Sequence, residues 1–552
     1  MRLLSLSLCV AVCTALINPI LPGWNPDPSI LRVGKDYFLA TSTFEQFPGH
    51  PIYHSTDLVQ WKCIGHALSR VSQIPLFGSG GPPDGGIWAP GLRYHKGTFY
   101  LATASRFVYG PEAKLMSRPF FVTTQDIFSN VWSDPIYLDS LGYDLDLFWD
   151  SNGDVYATWS GINNSVDRIY GIYQHKIDIA TGDALTPTTE IYTGILPQNS
   201  SARPEGPHLY HIGQYYYLLI AEGGTSAPHR ATVARGPTPS GPWTFSPHNP
   251  LVYNIGLDPN AAVRWTGHAD LVQTPTGEWF GTMLGTRPQG GNESHISLGR
   301  ETFLYPVTWT QDGWPIANGG KPVTEHIPDV LYDKSPLAPY MNEFKSKKDL
   351  SSDTSFYYVR TQYKPFASVA SGGGLVLKGN AYNLSDRDAP ALLLRRQSAY
   401  EETFETRLDA FAPATNWTEA GLSVWYGEFL HHDIGVTLDP AGSGKRVIIT
   451  RTLTYPTVIT YTPLKSASGN VRLRAVAQST SYTLGFAEGD DEEFTTTATV
   501  DAYYVTVPPP NGAFFKGTSF GLYNTGNGRA TLVKARFAYW KQIPVVPAVN
   551  AQ

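Results

Sequence analysis

Five stretches of the chain repeat one pattern of apolar and polar positions. Each has a short apolar run, a polar turn that ends in glycine, and a second apolar run that begins at or near an aromatic residue. The turn glycines, spaced 63, 56, 60 and 64 residues apart, are Gly34, Gly97, Gly153, Gly213 and Gly277. Short paired strands repeated at this spacing are typical of a β-propeller, so the five copies predict five blades.

The residues just before the first apolar run of each copy are unusual for packing positions. They are three acids, one indole and one imidazole: Asp27, Trp88, Asp144, Glu205 and His268. The innermost strand of every propeller blade lines the central axis, so equivalent positions in different blades converge. The pattern therefore predicts a site where these residues meet.

The pattern changes after the fifth copy. Residues 16–325 cover the predicted propeller, and the proline-punctuated residues 326–342 are typical of a linker. Over residues 343–552, short alternating strands separated by Gly, Asn and Asp predict a two-sheet β-sandwich. The predicted fold class is all-β, a five-bladed β-propeller followed by a β-sandwich.

Composition and charge support this prediction and exclude some partners. The chain has 52 Gly and 43 Pro, with 13% aromatic and only 16% charged residues, which is typical of a turn-rich β protein. A net charge of -6 gives no basic surface, so we expect neither nucleic acid nor membrane as a partner.

The N-terminal residues indicate secretion. Met1-Arg2, an apolar run and the small residues Cys13-Thr14-Ala15 predict a signal peptide over residues 1–15. Cys9 and Cys13 leave with it, so Cys63 remains without a disulfide partner. We expect a secreted, extracellular glycoprotein, because five acceptor sequons begin at Asn163, Asn199, Asn292, Asn383 and Asn416.

Two of the converging acids suit different chemical roles. Asp27 lies between prolines, which stiffen the backbone of a carboxylate that must point one way. Alternatively, it is an ordinary turn residue before a strand. Glu205 lies in a tight turn whose dry surroundings raise a carboxyl pKa, whereas an ion pair with Arg203 would lower it.

A third acidic position has two candidates. Asp144 and Asp146 are two residues apart, so on a regular strand both would face the same side. One of them can orient the acid and tune its pKa, while the other forms a hydrogen bond to the blade.

The remaining candidates are less specific. His268 is either a core histidine or a residue that holds water or a metal ion at the axis. No His-x-x-x-His pair or Cys cluster accompanies it, so no catalytic zinc is predicted, and His431-His432-Asp433 is expected on a strand or loop. The side chains that can stack on a sugar, bind its hydroxyls or simply pack the blades are Phe44, Phe47, Trp88 and Arg300.

Two carboxyl groups with different surroundings in one aromatic pocket are what glycosidic cleavage needs. One protonates the leaving oxygen, and the other activates water or attacks directly. The residues therefore favour a glycoside hydrolase, with a non-catalytic carbohydrate-binding propeller as the alternative from another class.

These same residues resemble those of glycoside hydrolase family 43. The resemblance extends over nearly all of the chain after residue 15 and is closest to β-xylosidases and α-L-arabinofuranosidases that carry a C-terminal concanavalin-like sandwich. Its motifs are Asn25-Pro26-Asp27-Pro28-Ser29, Trp88-Ala89-Pro90, Tyr143-Asp144, Glu205-Gly206-Pro207, Ala221-Glu222-Gly223-Gly224-Thr225 and Gly299-Arg300-Glu301-Thr302.

The resemblance implies an inverting, exo-acting enzyme that releases xylose or arabinofuranose from xylan or arabinoxylan oligosaccharides. It implies that Asp27 is the general base, Asp144 the pKa modulator and Glu205 the general acid. Phe44, Trp88 and Arg300 would contact substrate. His268 would lie near an axial water or calcium ion, and no cofactor is required.

One further alternative is a retaining, invertase-like fructosidase. Such enzymes resemble Asn-Asp-Pro-Asn near their start and Glu-Cys at the acid. This chain has Pro26-Asp27-Pro28, and Gly206 follows Glu205. The choice between xylose and arabinofuranose stays open.

Overall fold

The computed structural model describes residues 15–77, 85–106, 117–164, 167–291, 295–331, 337–489, 491, 493–506 and 515–545. The predicted signal peptide up to residue 14 and the sequon at Asn292 lie outside these ranges. In the described residues the regular structure is almost entirely β-strand.

The N-terminal region consists of short strands joined by turns. In chain order these are β1 (Ala15–Ile17), β2 (Ser29–Val33), β3 (Asp36–Ala40), β4 (Gln46–Phe47), β5 (Gly49–Ser55), β6 (Lys62–Leu68), β7 (Gly86–Ile87), β8 (Gly91–His95), β9 (Thr98–Arg106), β10 (Arg118–Thr124), β11 (Ile136–Tyr137), β12 (Tyr143–Trp149), β13 (Val155–Asn164), β14 (Ile169–Lys176), β15 (Thr189–Tyr192), β16 (Glu205–Ile212), β17 (Tyr215–Glu222), β18 (Arg230–Gly236), β19 (Thr244–Phe245), β20 (Arg264–Gln273), β21 (Trp279–Thr286), β22 (Glu301–Trp309), β23 (Pro315–Ala317) and β24 (His326–Leu331).

These strands form five antiparallel blades. The strand orders are β2-β3-β5-β6, then β8 with β9, β10 and β11, then β12 to β15, β16 to β19 and β20 to β23. The first strands β2, β8, β12, β16 and β20 contact one another in a closed ring around the axis. The predicted five-bladed propeller is therefore confirmed.

The C-terminal region is a sandwich of two large sheets. Its strands are β25 (Tyr340–Asn342), β26 (Phe356–Val359), β27 (Ala367–Val369), β28 (Leu375–Lys378), β29 (Leu392–Arg396), β30 (Glu402–Asp409), β31 (Glu419–Gly427), β32 (Leu430–Leu438), β33 (Arg446–Thr452), β34 (Val458–Pro463), β35 (Val471–Gln478), β36 (Ser481–Glu488), β37 (Thr495–Asp501), β38 (Ser519–Thr525), β39 (Lys534–Phe537) and β40 (Trp540–Pro544). One sheet has the order β34-β33-β32-β31-β38-β29-β26-β4, and the other is built around β30, β35 and β39. The predicted sandwich is confirmed, and His431-His432-Asp433 lies on β32.

Helical structure is minor. In the described ranges it consists of the α-helices α1 (Asn254–Leu257) and α2 (Lys348–Ser351) and the 3-10 turns Ile127–Ser129, Asn318–Gly320 and Ala502–Val505. Among the same residues, none of the helices is long and apolar enough to pass through a bilayer.

Apolar side chains fill the spaces between layers. Leu92 and Phe120 of the second blade pack against Phe38 of the first, and all three are at most 2% exposed. In the sandwich, Phe404 and Trp540 lie fully buried between the sheets. Each large apolar side chain buried in this way stabilises the fold by roughly 1.5–3 kcal/mol.

The range predicted as a linker contains regular structure. Its first residues form β24, which pairs with β1 and places Ile327 in the propeller core. The strand β4, which lies in the segment between β3 and β5 of the first blade, pairs with β26 of the sandwich. The two regions are therefore joined by a sheet as well as by the chain.

A buried ionic cluster lies where the inner strands meet, and we call Arg93, Asp146, His208 and Asp270 the axial cluster. Arg93 donates to Asp146 at 2.7 Å, contacts the Nδ1 of His208 at 2.7 Å, and forms an ion pair with Asp270 at 3.2 Å. Burial raises the pKa of Asp270, but His208 and Arg93 lower it to about 2. The cluster joins blades two, three, four and five.

Replacing Arg93 by methionine leaves the buried carboxylates of Asp146 and Asp270 without their cation. We expect a loss of about 3–5 kcal/mol in the free energy of unfolding, measured from urea and thermal midpoints at a fixed scan rate. The matched control is Arg70→Met, which removes an ion pair with Asp134 whose side chains are 40% and 72% exposed. The control should lose at most about 1 kcal/mol. Equal losses in both variants would contradict the role of the axial cluster.

Candidate active site

A cavity of about 310 Å³ lies beside the starts of the inner strands. All seven site residues predicted from the sequence line it. They are Asp27, Phe44, Trp88, Asp144, Glu205, His268 and Arg300. The structure thus brings together residues that are up to 273 positions apart in the chain, such as Asp27 and Arg300.

Irregular backbone aims several of these side chains. The pairing of β12, β16 and β20 with the following strand shifts register close to where each inner strand begins. Asp144 and His268 have left-handed φ values of 56° and 46°, and Asp27, just before β2, has 56°. Such bulges and strained residues redirect side chains and are concentrated at functional sites.

The expectation that Asp144 and Asp146 face the same side is wrong. The register shift between Tyr143 and Asp146 breaks the alternation of the strand. Asp144 therefore lines the cavity and accepts a hydrogen bond from the Gly206 N–H at 2.9 Å. Asp146 instead points to the axis and accepts from Arg93.

Asp27 is held as an ionised carboxylate. It is 5% exposed, and it accepts hydrogen bonds from the Ser42 hydroxyl at 2.6 Å and from Arg300 at 2.9 Å. Burial raises the pKa of Asp27, but Arg300 and His268 outweigh burial and hold it below its usual value.

The surroundings of Glu205, unlike those of Asp27, favour the neutral form of its carboxyl group. It is 8% exposed and accepts a hydrogen bond from the Tyr143 hydroxyl at 3.3 Å. Burial raises the pKa of Glu205 to about 7, although the charge of Arg203 lowers it. Of the two alternatives for this residue, the dry environment therefore outweighs the effect of Arg203.

Asp144 lies near both of the other acids. Burial first, and then the charges of Glu205 and Asp27, raise the pKa of Asp144 well above its usual value. The Gly206 N–H opposes this shift. Because Gly206 follows Glu205 directly, the hydrogen bond to Asp144 also fixes the backbone next to Glu205.

The C-terminal sandwich supplies one wall of the cavity. The carbonyl oxygen of Phe515 accepts hydrogen bonds from Arg300 at 3.1 Å and 3.3 Å and from the Trp24 indole at 2.8 Å. The next residue, Lys516, forms a buried ion pair with Glu45 of the propeller. The guanidinium that holds Asp27 is itself held by the sandwich.

Aromatic rings form most of the apolar wall. The Phe44 ring lies 6.3 Å from Trp88 and 5.8 Å from Phe515, and Trp88 lies 5.2 Å from Tyr143. Phe47 is not among the lining residues and packs in the core of the first blades. Phe44 and Trp88 therefore have both of the positions predicted for them: they pack against other aromatic rings, and they also line the cavity.

His268 is a neutral side chain beside Asp27. Burial lowers the pKa of His268 to about 4, and its Nδ1 lies 3.7 Å from the Asp27 carboxylate. Across the described ranges, no group of three or more His, Cys, Asp or Glu side chains is placed to hold a metal ion. His268 offers nitrogen atoms and Asp27 a single carboxylate, which do not fit calcium, because this ion takes six to eight oxygen ligands. The calcium ion remains a prediction from the resemblance alone.

Sequence reasoning missed about half of the cavity wall. The missed residues are Ala89, Arg106, Ser117, Tyr143, Ile162, Arg168, Tyr170, Thr225 and Phe515, while Arg203 was considered only as a partner of Glu205. Ala89, Tyr143 and Thr225 belong to motifs of the resemblance, but none of them was assigned to the site. Phe515 lies far from the repeated pattern, and no signal in the chain connects it to the propeller.

This arrangement supports acid–base chemistry. The Glu205 carboxyl group keeps its proton up to about pH 7, whereas the Asp27 carboxyl group stays ionised in the same cavity. Two carboxyl groups whose pKa values are pushed apart are the usual pair of a general acid and a general base. The aromatic wall suits the apolar face of a sugar ring.

Comparison with known families identifies the class of protein. The family model described as "Glycosyl hydrolases family 43" matches residues 16–315. The chain belongs to glycoside hydrolase family 43. Residues 342–542 of this glycoside hydrolase match the model described as "Beta xylosidase C-terminal Concanavalin A-like domain".

Relatives of this family 43 enzyme are similar over both regions. A non-reducing end α-L-arabinofuranosidase, BoGH43B, from Bacteroides ovatus is 37% identical over 95% of this chain and 94% of its own length. A β-xylosidase from Bacillus subtilis is 34% identical over 74% of this chain and 77% of its own. The crystal structure of a xylan β-1,4-xylosidase from Bacillus halodurans has a TM-score of 0.86 and 33% identity, and it covers 96% of this chain and 99% of its own.

These comparisons confirm the family, the fold and the enzyme class predicted from the sequence. The chain is a glycoside hydrolase, and the comparisons favour neither the invertase-like enzyme nor the non-catalytic binding propeller. The roles of the individual residues stay predictions.

We expect Glu205 to release its proton near pH 7, because burial disfavours its charged form. Infrared difference spectra between the wild-type protein and Glu205→Gln isolate the carboxylic acid band of this one residue. The band should disappear as the pH rises from about 6 to about 8. A band lost near pH 4.5 would show that solvent reaches the carboxyl group and would contradict the buried geometry.

Proposed function

We propose that this family 43 glycoside hydrolase removes xylose, arabinofuranose or both from the non-reducing ends of xylo-oligosaccharides or arabinoxylan, with inversion at the anomeric carbon. Asp27 acts as general base and Glu205 as general acid. Asp144 is assigned the part of pKa modulator, and it fixes the backbone that follows the acid through the Gly206 N–H. Phe44, Trp88, His268 and Arg300 hold the terminal sugar.

The observation that carries this proposal is the opposite protonation of Asp27 and Glu205 in one cavity. Both side chains are less than 10% exposed, yet two hydrogen bonds and a cation keep Asp27 ionised while burial keeps Glu205 protonated. A carboxylate can take a proton from water only in its charged form, and a carboxylic acid can give one only in its neutral form.

The reaction follows from these two states. Glu205 gives its proton to the glycosidic oxygen as the bond to the anomeric carbon breaks. Asp27 takes a proton from a water molecule, whose oxygen bonds to the anomeric carbon from the opposite face. The products are a free monosaccharide of inverted configuration and the remaining oligosaccharide, which is one sugar shorter. Exchange of protons with solvent returns Glu205 to its acid form and Asp27 to its carboxylate.

Exo action is supported by the form of the cavity. Its volume of about 310 Å³ is at the small end for ligand sites, and Phe44, Trp88 and Phe515 stand around it. A cavity of this size suits one terminal sugar better than the interior of a chain.

The substrate class is supported by the relatives. One is named as acting on non-reducing-end α-L-arabinofuranosides and another on β-xylosides. The N-terminal residues support secretion, which fits a polymeric substrate outside the cell.

Assays of an aryl β-xyloside and an aryl α-L-arabinofuranoside, run side by side, test the proposal. Release of the phenol from either substrate supports it, and the ratio of the two kcat/KM values identifies the preferred sugar. No release from either, by a folded protein, would contradict it.

Glu205→Gln should abolish hydrolysis of xylo-oligosaccharides, whose leaving alcohol needs a proton. Activated aryl glycosides should lose less, because a general acid contributes roughly 10²–10⁴-fold and good leaving groups depend on it less. The measurement is kcat for a series of leaving groups. The control Glu190→Gln makes the same change at an exposed carboxylate on β15 and should leave the series unchanged. Equal losses for every leaving group would remove Glu205 from the acid role.

A further inference from the structure

Three arginines lie together on one side of the cavity. They are Arg106 at the end of β9, Arg168 just before β14, and Arg203 just before β16, and we call them the arginine rim. The Arg106 guanidinium lies 4.9 Å from the Trp88 ring, and that of Arg203 lies 5.4 Å from the Tyr170 ring. Two of the three guanidinium groups therefore lie over aromatic rings of the cavity wall.

The arginine rim is not paired with carboxylates in the part of the chain that the structure describes. Among the residues that the structure describes, none of the three forms an ion pair with a carboxylate, whereas Arg300 in the same cavity pairs with Asp27. The Arg106 Nε is buried without a hydrogen-bond partner. Arg168 donates to the Tyr170 hydroxyl at 3.3 Å, and Arg203 donates to a main-chain carbonyl at 3.3 Å.

The three acids of the cavity do not account for the rim. Asp27 is bound by Ser42 and Arg300, Asp144 by the Gly206 N–H, and Glu205 by Tyr143. While Glu205 keeps its proton, the cations of the cavity outnumber the ionised carboxylates. Burial lowers the pKa of Arg106, and the charges of Arg168 and Arg203 lower it further. Within the described residues, the three like charges therefore lie near one another without an ion pair to a carboxylate.

The rim lies near Glu205, the residue proposed to protonate the leaving oxygen. Arg203 is two residues before Glu205, which gives its proton to the leaving oxygen. Tyr143, which donates to Glu205, lies 6.2 Å from Tyr170 and 5.2 Å from Trp88, the rings that the rim covers. If Glu205 is the general acid, a group attached to the leaving oxygen would lie near these guanidinium groups.

We propose that the arginine rim binds a carboxylate on the leaving group, so that the enzyme prefers oligosaccharides that carry a uronate next to the bond it cleaves. The fork of an arginine matches the two oxygens of a carboxylate, and such charge-assisted pairs are stronger than neutral hydrogen bonds. Arg106 and Arg203 are half-buried, and Arg168 is exposed. A carbohydrate presents such a group when a hexose is oxidised at C6. This inference rests on the proposed function, since it assigns the acidic sugar to the leaving side.

The test compares two xylo-oligosaccharides of equal length, one neutral and one with a uronate on the sugar that follows the scissile bond. We expect kcat/KM to be about tenfold higher for the acidic substrate at low salt, the size expected of one charge-assisted hydrogen bond. The preference should shrink as the ionic strength rises. Free glucuronate should inhibit more strongly than glucose or inorganic phosphate.

Variants of the rim separate its charge from its shape. The double variant Arg106→Gln, Arg168→Gln should reduce the ratio of acidic to neutral kcat/KM to about one, mainly through KM for the acidic substrate. The Arg106→Lys, Arg168→Lys pair keeps the charge and should retain part of the preference. Arg203 is left in place because its charge acts on the pKa of Glu205. The control is Arg529→Gln, an arginine 4.1 Å from the Trp417 ring in the sandwich.

The outcomes are distinct. Hydrolysis of the neutral substrate with no preference for the acidic one would overturn this inference and leave the proposed function intact. Where the aryl assays show a preference for arabinofuranose, both substrates carry arabinofuranose as the terminal sugar. Failure to hydrolyse either substrate, together with no release from the two aryl glycosides, would overturn the proposed function itself. Inhibition by phosphate as strong as that by glucuronate would show a general anion site and overturn the assignment to a uronate.

Discussion

The structure depends on a charged cluster buried at the axis of the propeller. Arg93 binds Asp146, His208 and Asp270, which come from three other blades, and Ser29 of the first blade donates to Asp270 at 2.8 Å. All five blades are therefore linked through one guanidinium and one serine. Buried ionised side chains stabilise a fold only when each charge lies next to an opposite one. The cluster therefore fixes the relative positions of the inner strands. Those positions decide which residues can meet in the cavity above.

Much of the fold and part of the site could be predicted from the chain. The repeat of strand, glycine turn and strand is local, and local patterns are visible in a sequence, so the five blades and the convergence of Asp27, Glu205 and His268 followed from it. The bulge before Asp146 was not visible, because it depends on pairing between strands. That is why Asp144 and Asp146 were expected to face the same way. Phe515 was missed for a similar reason, since its place depends on how two regions pack.

The sandwich is part of the active site as well as a neighbouring domain. Its Phe515 carbonyl positions Arg300, Arg300 lowers the pKa of Asp27, and Lys516 ties the same segment to Glu45. The environment of Asp27 is thus set by contacts across two regions, while that of Glu205 is set by burial within the propeller. This division explains how two carboxyl groups in one cavity keep opposite protonation states.

The central claim is that Asp27 and Glu205 act as separate base and acid on a single displacement by water. Proton NMR during the first minutes of hydrolysis of a β-xyloside, or of an α-L-arabinofuranoside if that is the preferred substrate, tests it most directly, before the free sugar equilibrates. The account predicts that the first sugar released has the inverted configuration, α-xylose in the first case. Release of the retained anomer would contradict it, because retention requires a covalent sugar–enzyme intermediate and a nucleophilic carboxylate.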